Sequence, residues 1–340
     1  MAKGRTRAAD VAEVAGVSQT TVSLVLNGHA GHVSEATRRK VLDTAERLGY
    51  HLNASARQLA SGRSHTLGLV VRQSSDQVAG DIFLTSMLRG LATVARGAGY
   101  RVVVEPLGPN DGTFEQLLRA QQVDALVVSG PRVEDEELSR LVDDGFPIVI
   151  HGSRPDLQVP SVDVDNEAGA RLATEHLISF GHRRIACVVF DLSYTAARER
   201  LAGYKNALEA AGIEFDPNLV TETGYRAIDA REAATKLLQT QAFTAVFAAA
   251  DLTAAAVLGA IQATGRTIPG DISLVGFDDI PLAEFLDPPL TTIRVPTIQV
   301  GEAVGRALLE RIGGNHAPTR TILPVELVTR SSVAPPMTSR

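Results

Sequence analysis

From Thr66 onward the chain repeats one pattern, a short and nearly continuous apolar run followed by a longer amphipathic stretch. The runs are residues 67–71, 101–105, 125–129, 148–150, 185–190, 245–248 and 272–277, and apolar positions recur at helical spacing over residues 85–98, 168–180, 197–211 and 252–264. Strands that read apolar on both faces must be covered on both faces. The alternation therefore demands βαβ units, with parallel sheets between layers of helix. Polar residues gather at the carboxyl ends of these runs, where open α/β sheets bind their ligands, so a cleft is expected.

The first 63 residues follow another rule. They hold nine Lys/Arg against five Asp/Glu, a charge of +4 within a chain whose formal total is −6, which leaves −10 for the remainder. A basic head on an acidic body points to a polyanion as the head's partner. At 340 residues the chain suits a small module joined to a larger one. It contains no run of about 18 apolar residues, and its start, Met-Ala-Lys-Gly-Arg-Thr-Arg, passes straight into an amphipathic pattern. Export and membrane insertion are disfavoured, and a cytoplasmic location is expected. Cys187, alone within an apolar run, reads as a buried thiol with no partner for a disulfide or a metal. No metal or cofactor is expected.

In the head, Ala8, Val11, Ala12, Ala15 and then Val17, Val22, Val25, Leu26 recur at helical spacing, broken at Gly16 where a tight turn needs a left-handed residue. Two short helices set at an angle follow. Ser18 is placed to cap the second through its hydroxyl and to aim backbone N–H groups at a phosphate. This is the geometry of a helix-turn-helix, whose second helix reads bases with its first turn, here Gln19 and Thr20. A third helix from Ser34 to Leu48 is expected to carry Val41, Leu42, Ala45 and Leu48 on one stripe and close the small core. A plain three-helix bundle with a solvated basic face would give much of the same pattern.

The wording goes further than the pattern. Asp10-Val-Ala-Glu-Val-Ala-Gly-Val-Ser-Gln-Thr-Thr-Val-Ser-Leu-Val-Leu-Asn27-Gly28, Val33-Ser34, Arg38 to Val41 and Leu48-Gly49-Tyr50 closely resemble the start of the LacI/GalR family of bacterial regulators. The resemblance implies that Ser18, Thr21 and Asn27 hold the phosphate backbone while Gln19 and Thr20 meet base edges, Gln preferring adenine. Ser23 and Leu24 follow on the same stretch. Leu24 stands where the family often has Arg, so a guanine contact is lost, and Leu24 either touches a thymine methyl or extends the core. Residues 51–63 alone read as a linker, too polar to own a core. In the family the matching stretch folds on DNA as a hinge helix paired with that of a second subunit. By resemblance Asn53 is among the DNA-binding residues, Ala56 permits close approach, Arg57 adds a backbone contact, and Leu59 is the wedge inserted into the minor groove.

The body matches the same family at Val164-Asp165-Asn166, Gly181-His182-Arg183-Arg184-Ile185, Arg200 to Tyr204, Ser273 to Asp279 and Pro288 to Ile293. It should resemble a periplasmic binding protein, two parallel-sheet lobes joined near residues 161–164, 291–295 and 321–325. Arg200 and Asp278 match the pair that grips sugar hydroxyls, a guanidinium fork donating where a carboxylate accepts. A surface salt bridge is the alternative for Arg200. Phe83 falls where the family places an aromatic against the ligand, and Asp81 can accept from a hydroxyl or an amine. Asp251 either contacts ligand or caps the next helix. Ser129 and Tyr194 are lining candidates or simply loop residues.

The implied fold is an all-α helix-turn-helix head with an α/β, periplasmic-binding-protein-like effector domain of two lobes. The divisions are 1–50 for DNA binding, 51–64 for the hinge, 65–332 for effector binding and dimerisation, and 333–340 for a flexible tail. The implied function is a transcriptional regulator, more readily a repressor, that binds a pseudo-palindromic double-stranded operator as a homodimer under control of a carbohydrate-like or polyol effector. The tail has no heptad pattern to make a tetramer. A solute-binding receptor without a DNA role is the alternative. Catalysis is not expected, since Asp278 and Asp279 as neighbours point to opposite sides and no nucleophile elbow, P-loop or zinc helix is present.

Overall fold

The structure is a computed structural model that describes residues 6–26, 33–50, 62–108, 113–224, 226–314 and 320–337. The chain divides into two compact units, Met1–His65 and Thr66–Arg340.

In the first unit, α1 (Ala8–Ala15) and α2 (Gln19–Leu26) are separated by a turn at Gly16, whose φ of 65° is a conformation that a side chain resists. The third helix, α3 (Glu35–Arg47), starts at Ser34, whose hydroxyl accepts from the Thr37 N–H at 3.2 Å. Val11, Ala12, Ala15, Val22, Val25, Val41 and Ala45 form the core, with Leu48 and Tyr50 packed at its margin. Leu42 corrects the expected stripe. It is 42% exposed, because it lies about 100° around the helix from Val41; Thr44 is buried instead.

The second unit opens with β1 (Thr66–Val71), β2 (Arg101–Pro106), β3 (Ala125–Ser129), β4 (Ile148–His151) and β5 (Ser161–Val164). Then β6 (Ile185–Phe190), β7 (Val220–Thr223), β8 (Ala245–Ala248) and β9 (Ser273–Val275) form a second parallel sheet in the order β7-β6-β8-β9. After β10 (Thr292–Arg294), β11 (Arg320–Leu323) returns to the first sheet, whose order is β11-β5-β4-β3-β1-β2, all parallel. Finally β12 (Glu326–Val328) pairs antiparallel with β10. Every residue of β1, β3, β6 and β8 is buried, whereas the edge strand β2 alternates at its start.

The helices are α4 (Ser75–Ala79), α5 (Ile82–Gly97), α6 (Glu115–Arg119), α7 (Glu136–Asp143), α8 (Asn166–Ser179), α9 (Thr195–Ala210), α10 (Ala227–Thr240), α11 (Asp251–Ala263) and α12 (Thr297–Ile312). In the first lobe α12 packs on α5 with backbones in contact. A methyl group on Gly301 would lie 2.0 Å from the Met87 carbonyl oxygen, and one on Gly90 would lie 2.1 Å from that of Ile298. In the second lobe α8 packs on α9. The chain passes between the lobes after β5, after β10 and between β11 and β12. These are the three places that the resemblance implied. In the segment expected to be a flexible tail, the Ala334 N–H donates to Ser273 Oγ at 3.0 Å, and its carbonyl accepts from His182 Nε2 at 2.9 Å. Cys187 is fully buried, which raises its thiol pKa strongly.

Candidate functional site

In the first unit the Ser18 hydroxyl accepts from the Thr21 N–H at 3.0 Å and lies 2.9 Å from the Thr21 hydroxyl, so α2 begins with a satisfied cap. Val22 and Val25 face inward and are buried. That phase leaves Gln19, Thr20, Ser23 and Leu24 exposed and Thr21 half-buried. Leu24, 38% exposed, does not extend the core. The helix thus offers a short face of hydroxyl, amide and one apolar side chain, the groups that match base edges and thymine methyls. Asn27, Asn53, Ala56, Arg57 and Leu59 lie outside the described residues.

In the second unit a cleft opens between the lobes at the carboxyl ends of the strands, its interior and mouth together holding about 1090 Å³. The first lobe contributes Gln73, Asp81, Phe83, Ser129 and His151; the second contributes Phe190, Tyr194, Arg200, Asp278 and Ile280; Asp163 and Asn166 come from the first crossing. Six of the seven side chains expected around an effector are therefore brought together. Asp251 is the exception. It begins α11 below the cleft, where its carboxylate accepts from the Ile280 N–H at 2.9 Å and the Thr292 hydroxyl at 2.6 Å, so it ties the loop after β9 to the start of β10 instead of facing the opening.

Arg200 is buried, and each of its three guanidinium nitrogens has a partner. Its Nε donates to Asn166 Oδ1 at 2.9 Å, its Nη1 to the Ala249 carbonyl at 2.5 Å, and its Nη2 stands 3.2 Å from Asp278 Oδ1. The guanidinium lies flat on Phe277, 3.7 Å from the ring centre. A surface salt bridge is thereby excluded for it. Asp278 has a φ of 109°, a backbone conformation that favours glycine. The turn sends Asp278 to the cleft and Asp279 away from it, to Arg294 and Arg330, each at 2.7 Å. The two carboxylates never face one another across a single bond. Burial pushes the Asp278 carboxyl up to about 6, Asp81 adding to the effect and Arg200 opposing it.

Asp81 also caps α5, accepting from the Leu84 N–H at 2.9 Å, and burial raises its pKa. Phe83 stacks on His151 with ring centres 5.7 Å apart, and His151 Nδ1 is 2.9 Å from Ser129 Oγ. Burial, then the Arg200 charge, lowers the His151 pKa to about 4, so its ring is neutral at physiological pH. Tyr194 works between the lobes, its hydroxyl donating to the Arg72 carbonyl at 2.6 Å while the Arg132 guanidinium covers its ring.

Sequence reasoning missed Gln73, His151, Asn166 and Asp163. The last had a visible signal, a carboxylate inside the short apolar strand β5. Burial, reinforced by Glu199, pushes the Asp163 carboxyl up to about 7. Among the described residues no cluster of side chains is set to hold a metal ion, and no helix is long and apolar enough to cross a membrane.

Comparison with known proteins agrees with both units. Residues 9–53 match the model of bacterial regulatory proteins of the lacI family, and residues 174–333 match that of a periplasmic binding protein-like domain. The HTH-type transcriptional regulator CelR of Thermobifida fusca is 36% identical over 332 residues, covering 95% of this chain and 96% of that protein. The HTH-type transcriptional repressor PurR of Aliivibrio salmonicida is 35% identical, covering 95% and 98%. Among solved structures, the lac repressor dimer bound to operator and the anti-inducer ONPF superposes with a TM-score of 0.85 at 30% identity, covering 97% of this chain and 99% of that one. The CelR-cellobiose complex gives 0.73 at 34% identity, covering 96% and 100%. These relatives are regulators and not enzymes, which sets aside both the catalytic reading and a receptor without a DNA role. The chain belongs to the lacI family of bacterial regulatory proteins and is a DNA-binding transcriptional regulator.

Proposed function

We propose that this chain is a repressor that binds a pseudo-palindromic operator as a homodimer and is switched by a small sugar-like effector held between its lobes. One reader helix spans only a few base pairs, and a two-fold pair multiplies the specificity. On this reading Ser18, Thr21 and Asn27 grip phosphates, Gln19 and Thr20 read bases, and Ser23 and Leu24 lie against the groove. Residues 51–64 form the hinge, where Asn53, Ala56 and Arg57 support the wedge Leu59. The body from residue 65 senses the effector and dimerises.

The observation that carries the sensing half is the position of the cleft. It lies against the first crossing, with Asp163 and Val164 in its wall, so a bound molecule touches both lobes and a segment that joins them. Occupancy then biases the angle between lobes and, through the hinges, the population able to hold DNA. Arg200 and Asp278 are the residues we assign to ligand hydroxyls, with Asp81, Phe83, Ser129 and Tyr194 around them. The test is fluorescence anisotropy of the full chain on a selected duplex, titrated with sugars and polyols. A shift in operator affinity with at least one of them supports the reading. Unchanged affinity with every compound that stabilises the protein against heat overturns it.

A further inference from the structure

We propose that the cleft is built for an effector that carries a cationic nitrogen beside its hydroxyls, an amino sugar or similar amino polyol, with Asp163 and Gln73 receiving its donors. The proposal deepens the effector reading above and rests on it.

Its first support is an inventory of hydrogen-bonding groups. Several donors of the cleft are already committed: one N–H on each guanidinium nitrogen of Arg200 to Asn166, Ala249 and Asp278, the Tyr194 hydroxyl to Arg72, and the Asn166 amide to Asp163 at 3.2 Å and Glu199 at 3.1 Å. The buried side-chain atoms left without a partner in the cleft are both acceptors. Gln73 Oε1 and Asp163 Oδ2 have no partner, although their residues are only 5% and 4% exposed and both line the cleft. The orientation of Gln73 is fixed by its neighbour. Its Nε2 donates to Asp81 Oδ2 at 3.4 Å, and the reversed amide would set oxygen against carboxylate. Buried polar atoms are paired as a rule, so two unpaired acceptors in one cleft mark the places of missing donors.

The second support is charge. The acidic side chains lining the cleft are Asp81, Asp163 and Asp278, against the guanidinium of Arg200; Asp163, standing at about 7, is part-ionised at neutral pH, and a neighbouring cation draws off its proton. His151 adds no cation near neutral pH. Asp81 and Asp278 come from opposite lobes and repel, and Glu199 repels Asp163 from behind. A neutral sugar would satisfy the acceptors and leave the charge standing. An ammonium group brings three donors and the missing positive charge together. Phosphate or carboxylate on the ligand would be rejected by the same field, while Phe83 and Phe190 offer apolar surface to a sugar ring.

The test is calorimetry and thermal shift on the full chain with glucosamine, galactosamine and mannosamine, each beside its parent hexose and, for glucose, the 6-phosphate. At least one amine should bind about tenfold or more tighter than its parent, and the phosphate should not bind. In Asp163→Asn, which preserves shape, that preference should shrink to about twofold, and Gln73→Met should weaken the same amine. A parent hexose that equals or exceeds its amine, binding of the phosphate, or no binding by any amine would each overturn the proposal. Hexose binding without amine preference defeats this inference alone. Failure of all the sugars in a protein that still holds its operator defeats the sugar-sensor reading as well.

Discussion

Asp163→Asn in the absence of any effector is a direct probe of the electrostatics at the first crossing. The carboxyl stands at about 7 in the folded protein against 3.8 for a free aspartate, with burial the main cause and Glu199 the second. At ~1.36 kcal/mol per pKa unit, full ionisation destabilises the fold by about 4 kcal/mol. The sign follows from proton binding. Below about pH 4 the group is protonated both folded and unfolded, and there is no penalty; between about 4 and 7 the folded chain keeps a proton that the unfolded chain has released, so stability falls as pH rises; above about 7 the whole penalty is present. Asparagine cannot ionise, and its oxygen can still accept from the Val164 N–H and the Asn166 amide, which Asp163 Oδ1 receives at 2.7 and 3.2 Å. The variant should therefore exceed the parent in stability by about 2 kcal/mol at pH 5 and about 4 kcal/mol at pH 8. Urea unfolding of both full chains, followed by far-UV circular dichroism at the two pH values, measures this. A difference that does not grow with pH, or a variant less stable than the parent at pH 8, would refute the reasoning.

Arg200→Ala strands Asn166 Oδ1, the Ala249 carbonyl and the Asp278 carboxylate in a buried site, so it should lower stability by about 3–5 kcal/mol. At a temperature where it is folded, it should bind operator in a gel shift and ignore the effector; loss of operator binding by the folded variant would move the effector site elsewhere. Gly301→Ala forces a methyl group against the Met87 carbonyl at 2.0 Å, and calorimetric unfolding should show a loss of about 1–3 kcal/mol or more as α12 lifts from α5. An unchanged melting temperature would mean that the two helices do not touch as described. Leu59→Ala should abolish the DNA bend in a circular-permutation gel assay and weaken operator binding; a full bend without the leucine would refute its role as wedge.

Much of the fold was legible because its central strands are buried on both faces, and β1, β3, β6 and β8 read as plain apolar runs. Edge strands gave less. β7 lies at the margin of its sheet with its first three residues partly or fully exposed, so it lacks such a run. In α12 the pattern is diluted by Gly301 and Gly305, poor helix formers whose reason for being there is contact with α5. The caps at Ser18 and Ser34 were visible because a hydroxyl before an amphipathic run is a local signal. The cleft was only half visible. Arg200 and Asp278 were found through resemblance, whereas Gln73, His151 and Asn166 face the opening because of how the lobes are threaded, which no local pattern records. Asp251 shows the same limit from the other side: a carboxylate at the end of a strand suits both a ligand and the Thr292 hydroxyl, and topology decides for the second.

On the proposed function, α2 presents Gln19 and Thr20 to the bases of duplex DNA, twice, from a two-fold pair. In-vitro selection of duplexes with the full chain, followed by anisotropy titration against scrambled competitor at moderate salt, tests it most directly. The expected result is a pseudo-palindromic site bound about a thousandfold or more tighter than competitor, with Gln19→Ala relaxing the preference at one base step in each half. No preference for any duplex over scrambled competitor, under every small molecule tried, would contradict it.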